Sequence, residues 1–248
     1  MEEIRKIGVL YGGSSAEREI SLLSGEGVHN AICELGYESH LIDFKELNDL
    51  KELKDYDFIF IALHGFEGEG GKLQKDLDDL NILYSGSKSE ACRNTWNKKL
   101  TKEILKINNI STPIWHEVLF NRNVVQNGLQ NSSFDKFRPF EHLFLKPEED
   151  GSSVDIFKIS NDKSLEEAYL KCTNHERGFL FEEYIDGKEF TVTIIDKKCF
   201  PPIEIITKNE FYDYEAKYIS NETRHIEAEL SSNELSDIQC LALNAFEA

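Results

Sequence analysis

Leu143-Phe-Leu-Lys-Pro-Glu-Glu-Asp-Gly-Ser-Ser-Val154 is the stretch whose reading decides the fold. Its first three residues form an apolar, β-favouring run that delivers Lys146 at a strand end. Pro147 has no N–H to give and is expected to stop the ladder there. Glu148 to Ser153 carries a glycine and two hydroxyls, and Val154-Asp-Ile-Phe-Lys-Ile159 reads as a returning strand. A hairpin with a lysine at its root and Gly-Ser-Ser at its tip can hold a polyphosphate. The ammonium is a point charge, and the loop offers N–H groups and hydroxyls. The same residues also fit a plain surface hairpin with an exposed lysine.

Upstream, the pattern is that of an α/β sheet. Ile7-Gly-Val-Leu-Tyr11 is a short apolar strand, broken by Gly12-Gly13-Ser14-Ser15 and followed by a helix from about Ala16 to Leu35, which Gly36 ends. The turn has no GxGxxG, so it carries no dinucleotide fingerprint. Glu38 to Asp43 is a second strand. Phe58-Ile-Phe-Ile-Ala-Leu63, apolar throughout, is a third of the kind buried in parallel sheets. Helix Lys72–Leu80 and a short strand, Ile82–Ser85, complete a Rossmann-like parallel-sheet domain over residues 1–95. Two features in it are candidate binding groups. Glu17, beside the plausible N-cap Ser15, either complements the helix dipole or holds a ligand's ammonium at the sheet's C-terminal edge. His64 ends the third strand and leads into Gly65, Gly68, Gly70 and Gly71, a loop that lets backbone approach a ligand.

Downstream of residue 96 the units are shorter. Asn97 opens a helix with Leu100, Ile104 and Ile107 on one stripe, so Lys99 and Lys102 read as its solvated face. Thr112-Pro113 opens a strand to about Phe120, residues 121–139 are a polar loop or irregular helix, and Ser164–Cys172 is a helix. Phe179–Ile185 is a strand with an acidic end, turned by Asp186-Gly187 into Lys188–Ile195, with Pro202–Ile206 beyond. Phe211-Tyr-Asp-Tyr-Glu-Ala-Lys-Tyr218 is too polar for core and too aromatic for a plain loop, which suits a binding surface or lid.

Composition narrows the function. A net charge of −18 argues against nucleic acid or an anionic membrane as main partner, though not against a nucleotide held by local cations. The five cysteines lack a CxxC and the seven histidines show no metal-ligand spacing. Met1-Glu-Glu-Ile-Arg-Lys carries no leader-like apolar segment, and no run approaches membrane-spanning length. A cytoplasmic location with reduced thiols is expected.

In this order, the segments resemble the D-alanine–D-alanine ligase family of the ATP-grasp superfamily. The resemblance rests on Gly12-Gly13-Ser14-Ser15-Ala16-Glu17-Arg18-Glu19, on His64-Gly65 with Gly68-Glu69, and on Lys146-Pro147 with Gly151-Ser152-Ser153-Val154. It rests also on Glu182-Glu183-Tyr184-Ile185 with Glu189-Phe190-Thr191-Val192, and on Phe211–Tyr218 as an omega loop. It implies an ATP-grasp fold after the first domain, with a central subdomain over 96–180 and a C-terminal one over 181–248. The implied reaction joins two D-alanines at the expense of ATP, through an acyl phosphate, for peptidoglycan precursor synthesis. It implies Lys98, Lys146, Ser153 and Lys217 at the phosphates, and Glu182, Tyr184, Ile185 and Glu189 at adenine and ribose. Glu17, with Ser152 and Tyr218 as hydrogen-bonded partners, would serve the substrate ammonium, and His64 would line the first D-alanine pocket. Tyr218 favours the dipeptide over a D-alanyl-D-lactate product.

Three departures stand out. Asp155 replaces a glycine and would put a negative charge beside the phosphate loop, Gly70 replaces an aspartate, and Trp96-Asn97 replaces Met-Asp. The resemblance further implies two Mg²⁺ or Mn²⁺ ions whose ligands, with an oxyanion-binding arginine, fall in a segment after Ala248. On that expectation the fold is incomplete at its C-terminus, residues 1–248 contain no metal ligand and are inactive alone, and the complete protein is a homodimer. A different ATP-grasp ligase, with another second substrate, and a non-catalytic nucleotide- or amino-acid-binding fragment are the alternatives.

Overall fold

A computed structural model of the chain describes residues 4–130, 132–137, 140–208, 217, 220 and 222–248. It divides into two compact units, residues 1–97 and 98–248.

The first unit is built on a parallel sheet. Strand β1 (Lys6–Tyr11) leads to helix α1 (Arg18–Glu34), β2 (Glu38–Asp43) and β3 (Phe58–Ile61), in the order β2-β1-β3. β1 is central and its Val9 and Leu10 are fully buried, as a strand covered on both faces requires. Leu10, Leu53, Ile59, Leu63, Leu73 and Leu77 form the core. After β3 come α2 (Phe66–Glu69), α3 (Lys72–Asp79) and α4 (Ser89–Trp96). The expected strand Ile82–Ser85 is reduced to one parallel bridge, Tyr84 to Ile59, since Leu83 is exposed and Gly86 (φ 94°) breaks the extension. Helix α4 carries no strong periodicity and the sequence alone did not mark it. α1 begins two residues later than expected, with Glu17 rather than Ser15 at the cap position.

Gly25 lets α1 lie against β1. A Cβ there would sit 2.5 Å from Tyr11 Cβ, an atom fixed to the strand backbone that cannot swing aside.

The second unit is antiparallel. It runs through α5 (Lys98–Ile107), β4 (Trp115–Val118), α6 (Arg122–Asn127), β5 (Leu143–Pro147), β6 (Phe157–Ile159), α7 (Asp162–Lys171) and β7 (Phe179–Glu183). β8 (Glu189–Thr191), β9 (Ile194–Ile195), β10 (Lys198–Cys199), β11 (Ile203–Ile206), β12 (Arg224–Glu227) and α8 (Ser232–Glu247) follow. One sheet has the order β4-β7-β5-β6, and a second the order β12-β11-β8. The first sheet's core is aromatic: Phe120, Phe179 and Phe181 are fully buried, and Phe134 meets Phe181 edge to face with ring centroids 4.8 Å apart. Burial of side chains this size contributes about 2–3 kcal/mol each.

The hairpin around Lys146 forms, with two corrections. β5 runs through Pro147 and pairs it with Phe179, whereas β6 stops at Leu145, so the proline occupies a position with only one strand neighbour. The return strand starts at Phe157, not Val154, because Ser152, Ser153 and Asp155 take left-handed backbone conformations (φ 53°, 60° and 52°). Residues 121–130 and 132–137 hold more regular structure than their polarity suggested. Asn121 caps α6 by accepting from the N–H groups of Asn123 and Val124, and a 3₁₀ helix follows over Ser132–Phe137. The expected strand Lys188–Ile195 is split into β8 and β9. Of the Phe211–Tyr218 segment only Lys217 lies among the described residues.

Gly25→Ala is expected to destabilise the protein by about 1–2 kcal/mol in urea unfolding. The overpacking cost of about 1–3 kcal/mol exceeds alanine's helix advantage of about 1 kcal/mol.

Candidate active site

In the first unit, polar groups gather where the parallel strands end. The Gly12-Gly13 turn takes left-handed backbone (φ 75° at both), where side chains are disfavoured. Gly12 N–H donates to Ser21 Oγ at 2.9 Å, and that buried hydroxyl donates to the Ala62 carbonyl at 2.7 Å, tying α1 to the end of β3. Arg18 grips Asp43 bidentately at 2.9 and 2.5 Å and donates to the Gly13 carbonyl at 2.7 Å. The guanidinium hydrogen bond holds the Asp43 carboxyl at about 2.

Glu17 and His64 lie beside this turn. Ser15 Oγ donates to the His64 carbonyl at 3.2 Å and accepts from Glu17 N–H at 3.2 Å. A Cβ on Gly65 would meet Glu17 Oε2 at 3.1 Å, so this carboxylate lies along the glycine loop. His64 Nε2 is 3.1 Å from Ser24 Oγ. Burial, and then the charge of Glu17, pushes the Glu69 carboxyl up. A positive charge beside these two carboxylates would oppose that shift.

The departures at Gly70 and Trp96 explain one another. The Trp96 ring packs edge-on against Phe66 at 5.9 Å, and a Cβ on Gly70 would lie 2.5 Å from the Phe66 ring. With Phe66 in that place, residue 70 has no room for an aspartate side chain.

In the second unit, cations converge beneath the hairpin. Lys146 Nζ donates to Glu182 Oε1 at 2.5 Å, and Lys102 Nζ pairs with Glu182 Oε2 at 2.7 Å. Glu182 and Lys102 are nearly buried, with side chains 10% and 8% exposed. Burial raises the Glu182 carboxyl, but the two lysines outweigh it and hold it below the usual range. Both oxygens of Glu182 are therefore engaged by lysines, which makes its first role that of a counter-ion. Lys102 is not on a solvated face, as the apolar stripe of α5 suggested. It also donates to Thr112 Oγ1 at 2.8 Å and to the Pro113 carbonyl at 3.2 Å.

Lys98, one turn before Lys102, donates to the Asp150 carbonyl in the hairpin loop at 2.8 Å. Burial, followed by the charges of Lys146 and Arg177, pulls its pKa down to about 8. Lys217 also lowers it and so belongs to the same cluster. Asp155 does not oppose an anion as expected. It is buried and turned away, accepting from Thr173 N–H at 3.0 Å and Thr173 Oγ1 at 2.7 Å and paired with Arg177. Ser152 and Ser153 stand at the loop tip. Tyr184 follows β7 with Lys158 Nζ 4.3 Å over its ring, Ile185 is exposed, and Glu189 opens β8 on the surface. Tyr218 lies outside the described residues.

Sequence reasoning missed Lys102, Arg177 and Glu69. The i,i+4 spacing of Lys98 and Lys102 was the available sign that both lysines share a face. Nothing local marked Arg177. Among the described residues no group of three or more His, Cys, Asp or Glu side chains converges to hold a metal. The lysines at the hairpin are cationic groups of the kind that a nucleotide's phosphates require.

A Rossmann-like parallel sheet in one unit, and a lysine-rooted hairpin over an antiparallel sheet in the other, are the parts of an ATP-grasp ligase. Residues 126–248 match the family model described as "D-ala D-ala ligase C-terminus". The chain is 33% identical over 244 residues to D-alanine–D-alanine ligase B of Clostridium perfringens, covering 98% of this chain and 78% of the relative. It is 36% identical over 245 residues to the D-alanine–D-alanine ligase of Pseudoalteromonas translucida, with the same coverage. The crystal structure of the Bacillus anthracis D-alanine–D-alanine ligase complexed with ATP superposes with a TM-score of 0.80 at 28% identity, covering 98% of this chain and 77% of that one. The chain belongs to the D-alanine–D-alanine ligase family. Among the described residues no helix is long and apolar enough to cross a membrane.

Two outcomes follow from these contacts. Lys102→Met is expected to cost about 3 kcal/mol in urea unfolding, because it leaves a buried carboxylate half-compensated. Lys99→Ala, which breaks the more exposed pair with Glu117, should cost under about 1 kcal/mol. The Asp43 carboxyl is held near 2 when folded against 3.8 unfolded. Its contribution of about 1–2 kcal/mol is complete above the unfolded value and is lost as pH falls through the folded one. Acid unfolding of Asp43→Asn should show a correspondingly weaker slope in that window.

Proposed function

We propose that the chain binds ATP and D-alanine for the ATP-dependent ligation of two D-alanines to D-alanyl-D-alanine, a step in making peptidoglycan precursors. The γ-phosphoryl of ATP passes to the carboxylate of the first D-alanine, leaving ADP. The amine of the second attacks the acyl phosphate, phosphate departs, and the amine loses a proton. The observation that carries this reading is Lys98, buried at the phosphate hairpin with its charge opposed by neighbouring cations, a site that an anion would stabilise. The relatives' names support the substrate, and the ATP complex of the Bacillus anthracis enzyme supports the nucleotide.

Each residue then has a role. Lys98, Lys146 and Lys217 hold phosphate oxygens, with Ser152 and Ser153 donating from the loop tip. Lys102 and Glu182 fix Lys146 in place, and Glu182 presents its edge to adenine. Tyr184, Ile185 and Glu189 line the base and ribose. Glu17 binds the ammonium of D-alanine, and His64 lines that pocket. These residues bind and orient, and Mg²⁺ or Mn²⁺ is the expected companion of ATP. Residues 96–180 and 181–248 serve as the two halves of the nucleotide grasp. The protein acts in the cytoplasm as a homodimer.

Calorimetric titration with a non-hydrolysable ATP analogue, in buffers of different ionisation enthalpy, tests the nucleotide site. A bound anion raises the Lys98 pKa, so binding should take up protons above pH 8 and none well below it. Affinity should weaken as pH rises through that value. Absence of uptake would remove Lys98 from the phosphate site. D-alanine binding should weaken at least about tenfold in Glu17→Gln, the loss expected when an ammonium loses its carboxylate.

A further inference from the structure

Arg177 lies at the foot of β7, outside every motif that marked the nucleotide site, yet it meets the hairpin loop at two points. Its two terminal nitrogens pair with different residues of the loop, Nη1 with Asp150 Oδ2 and Nη2 with Asp155 Oδ2. Its Nε donates to the Asn174 carbonyl at 3.2 Å, and its guanidinium carbon stands 5.5 Å from the Phe179 ring centroid. The side chain is therefore held from below by α7's exit segment and β7, and reaches up to two points of one loop. Asp155 is fastened a second time by Thr173, through N–H and Oγ1.

The loop needs fastening. Asp150, Ser152, Ser153 and Asp155 all have positive φ without being glycine. Such conformations cost about 1 kcal/mol or more apiece and persist only where surrounding structure imposes them. Asp150 is also the residue whose carbonyl receives Lys98 Nζ. Arg177 thus fixes the residue that places Lys98.

We propose that Arg177 is a positioning residue that clamps the phosphate hairpin through Asp150 and Asp155 and so sets the place of Lys98 and the Gly151-Ser152-Ser153 tip. The proposal rests on the nucleotide reading given above. The carboxylate at 155 then has a use of its own: a glycine there would adopt the same backbone freely but offer the guanidinium no second anchor.

The test separates folding from positioning. Arg177→Ala leaves Asp155 buried without its cation, and its melting temperature should fall. Adding Asp155→Gly removes that charge at a backbone position glycine prefers, so Arg177→Ala/Asp155→Gly should recover most of the lost stability. Its affinity for the ATP analogue should nevertheless stay weaker than that of the unaltered chain by about tenfold, since Asp150 and the tip are no longer held. Arg177→Lys, which keeps the charge but not the fork, should recover only part of the affinity. If the double variant binds the analogue as tightly as the unaltered chain, Arg177 is structural only and the proposal fails while the nucleotide reading stands. If the unaltered chain binds no analogue, the nucleotide reading itself fails and takes the proposal with it.

Discussion

The second unit depends on a buried carboxylate shared by two lysines. Glu182 sits on β7, the strand paired with both β4 and β5, and receives Lys146 from β5 and Lys102 from α5. Removing three charges from water costs several kcal/mol per ion, and only close, mutually hydrogen-bonded geometry returns it. That geometry fixes the register of a helix against a sheet. The arrangement also leaves one positive charge in excess, beneath the loop where Lys98 adds another. A cluster so unbalanced is poor design for stability and good design for receiving a polyanion.

Much of this was legible in the sequence because the responsible patterns are local. The all-apolar run Phe58–Leu63, the glycine turn after Tyr11 and the Lys146 hairpin each declare themselves within a dozen residues, and each formed with shifted ends: β3 closes at Ile61, α1 opens at Arg18, and the hairpin runs through Pro147 and returns at Phe157. Burial of Lys102 was not legible in that way. Its helix shows an apolar stripe of Leu100, Ile104 and Ile107, yet Ile107 is exposed and Lys102 is buried. The partner that reverses the expectation, Glu182, is far away in the chain. Arg177 escaped for the same reason, as its meaning lies in two aspartates on a loop it meets only after folding. Non-local charge compensation overrides local amphipathicity, and a single sequence does not reveal it.

The departures from the family pattern were visible as oddities, but their sense was not. Asp155 looked like a charge set against phosphate, and in the folded chain it is neutralised from below. Gly70 and Trp96 looked like two unrelated losses, and both serve the placement of the Phe66 ring. In each case a substitution that seems unfavourable alone is matched by a neighbour in space.

The run of left-handed residues in the hairpin has one more consequence, for what the motif can be apart from the rest of the chain. An unfolded segment seldom visits such conformations, and here several must be adopted together. β5 pairs with β7 outside the loop, and the loop is held by Arg177 and Thr173, carried on the far side of that pairing. The loop thus owes its form to the sheet beneath it. A peptide of residues 143–159 cut from the chain keeps every residue of the motif and its own β5–β6 pairing, but loses Arg177, Thr173 and the β7 ladder that hold its loop.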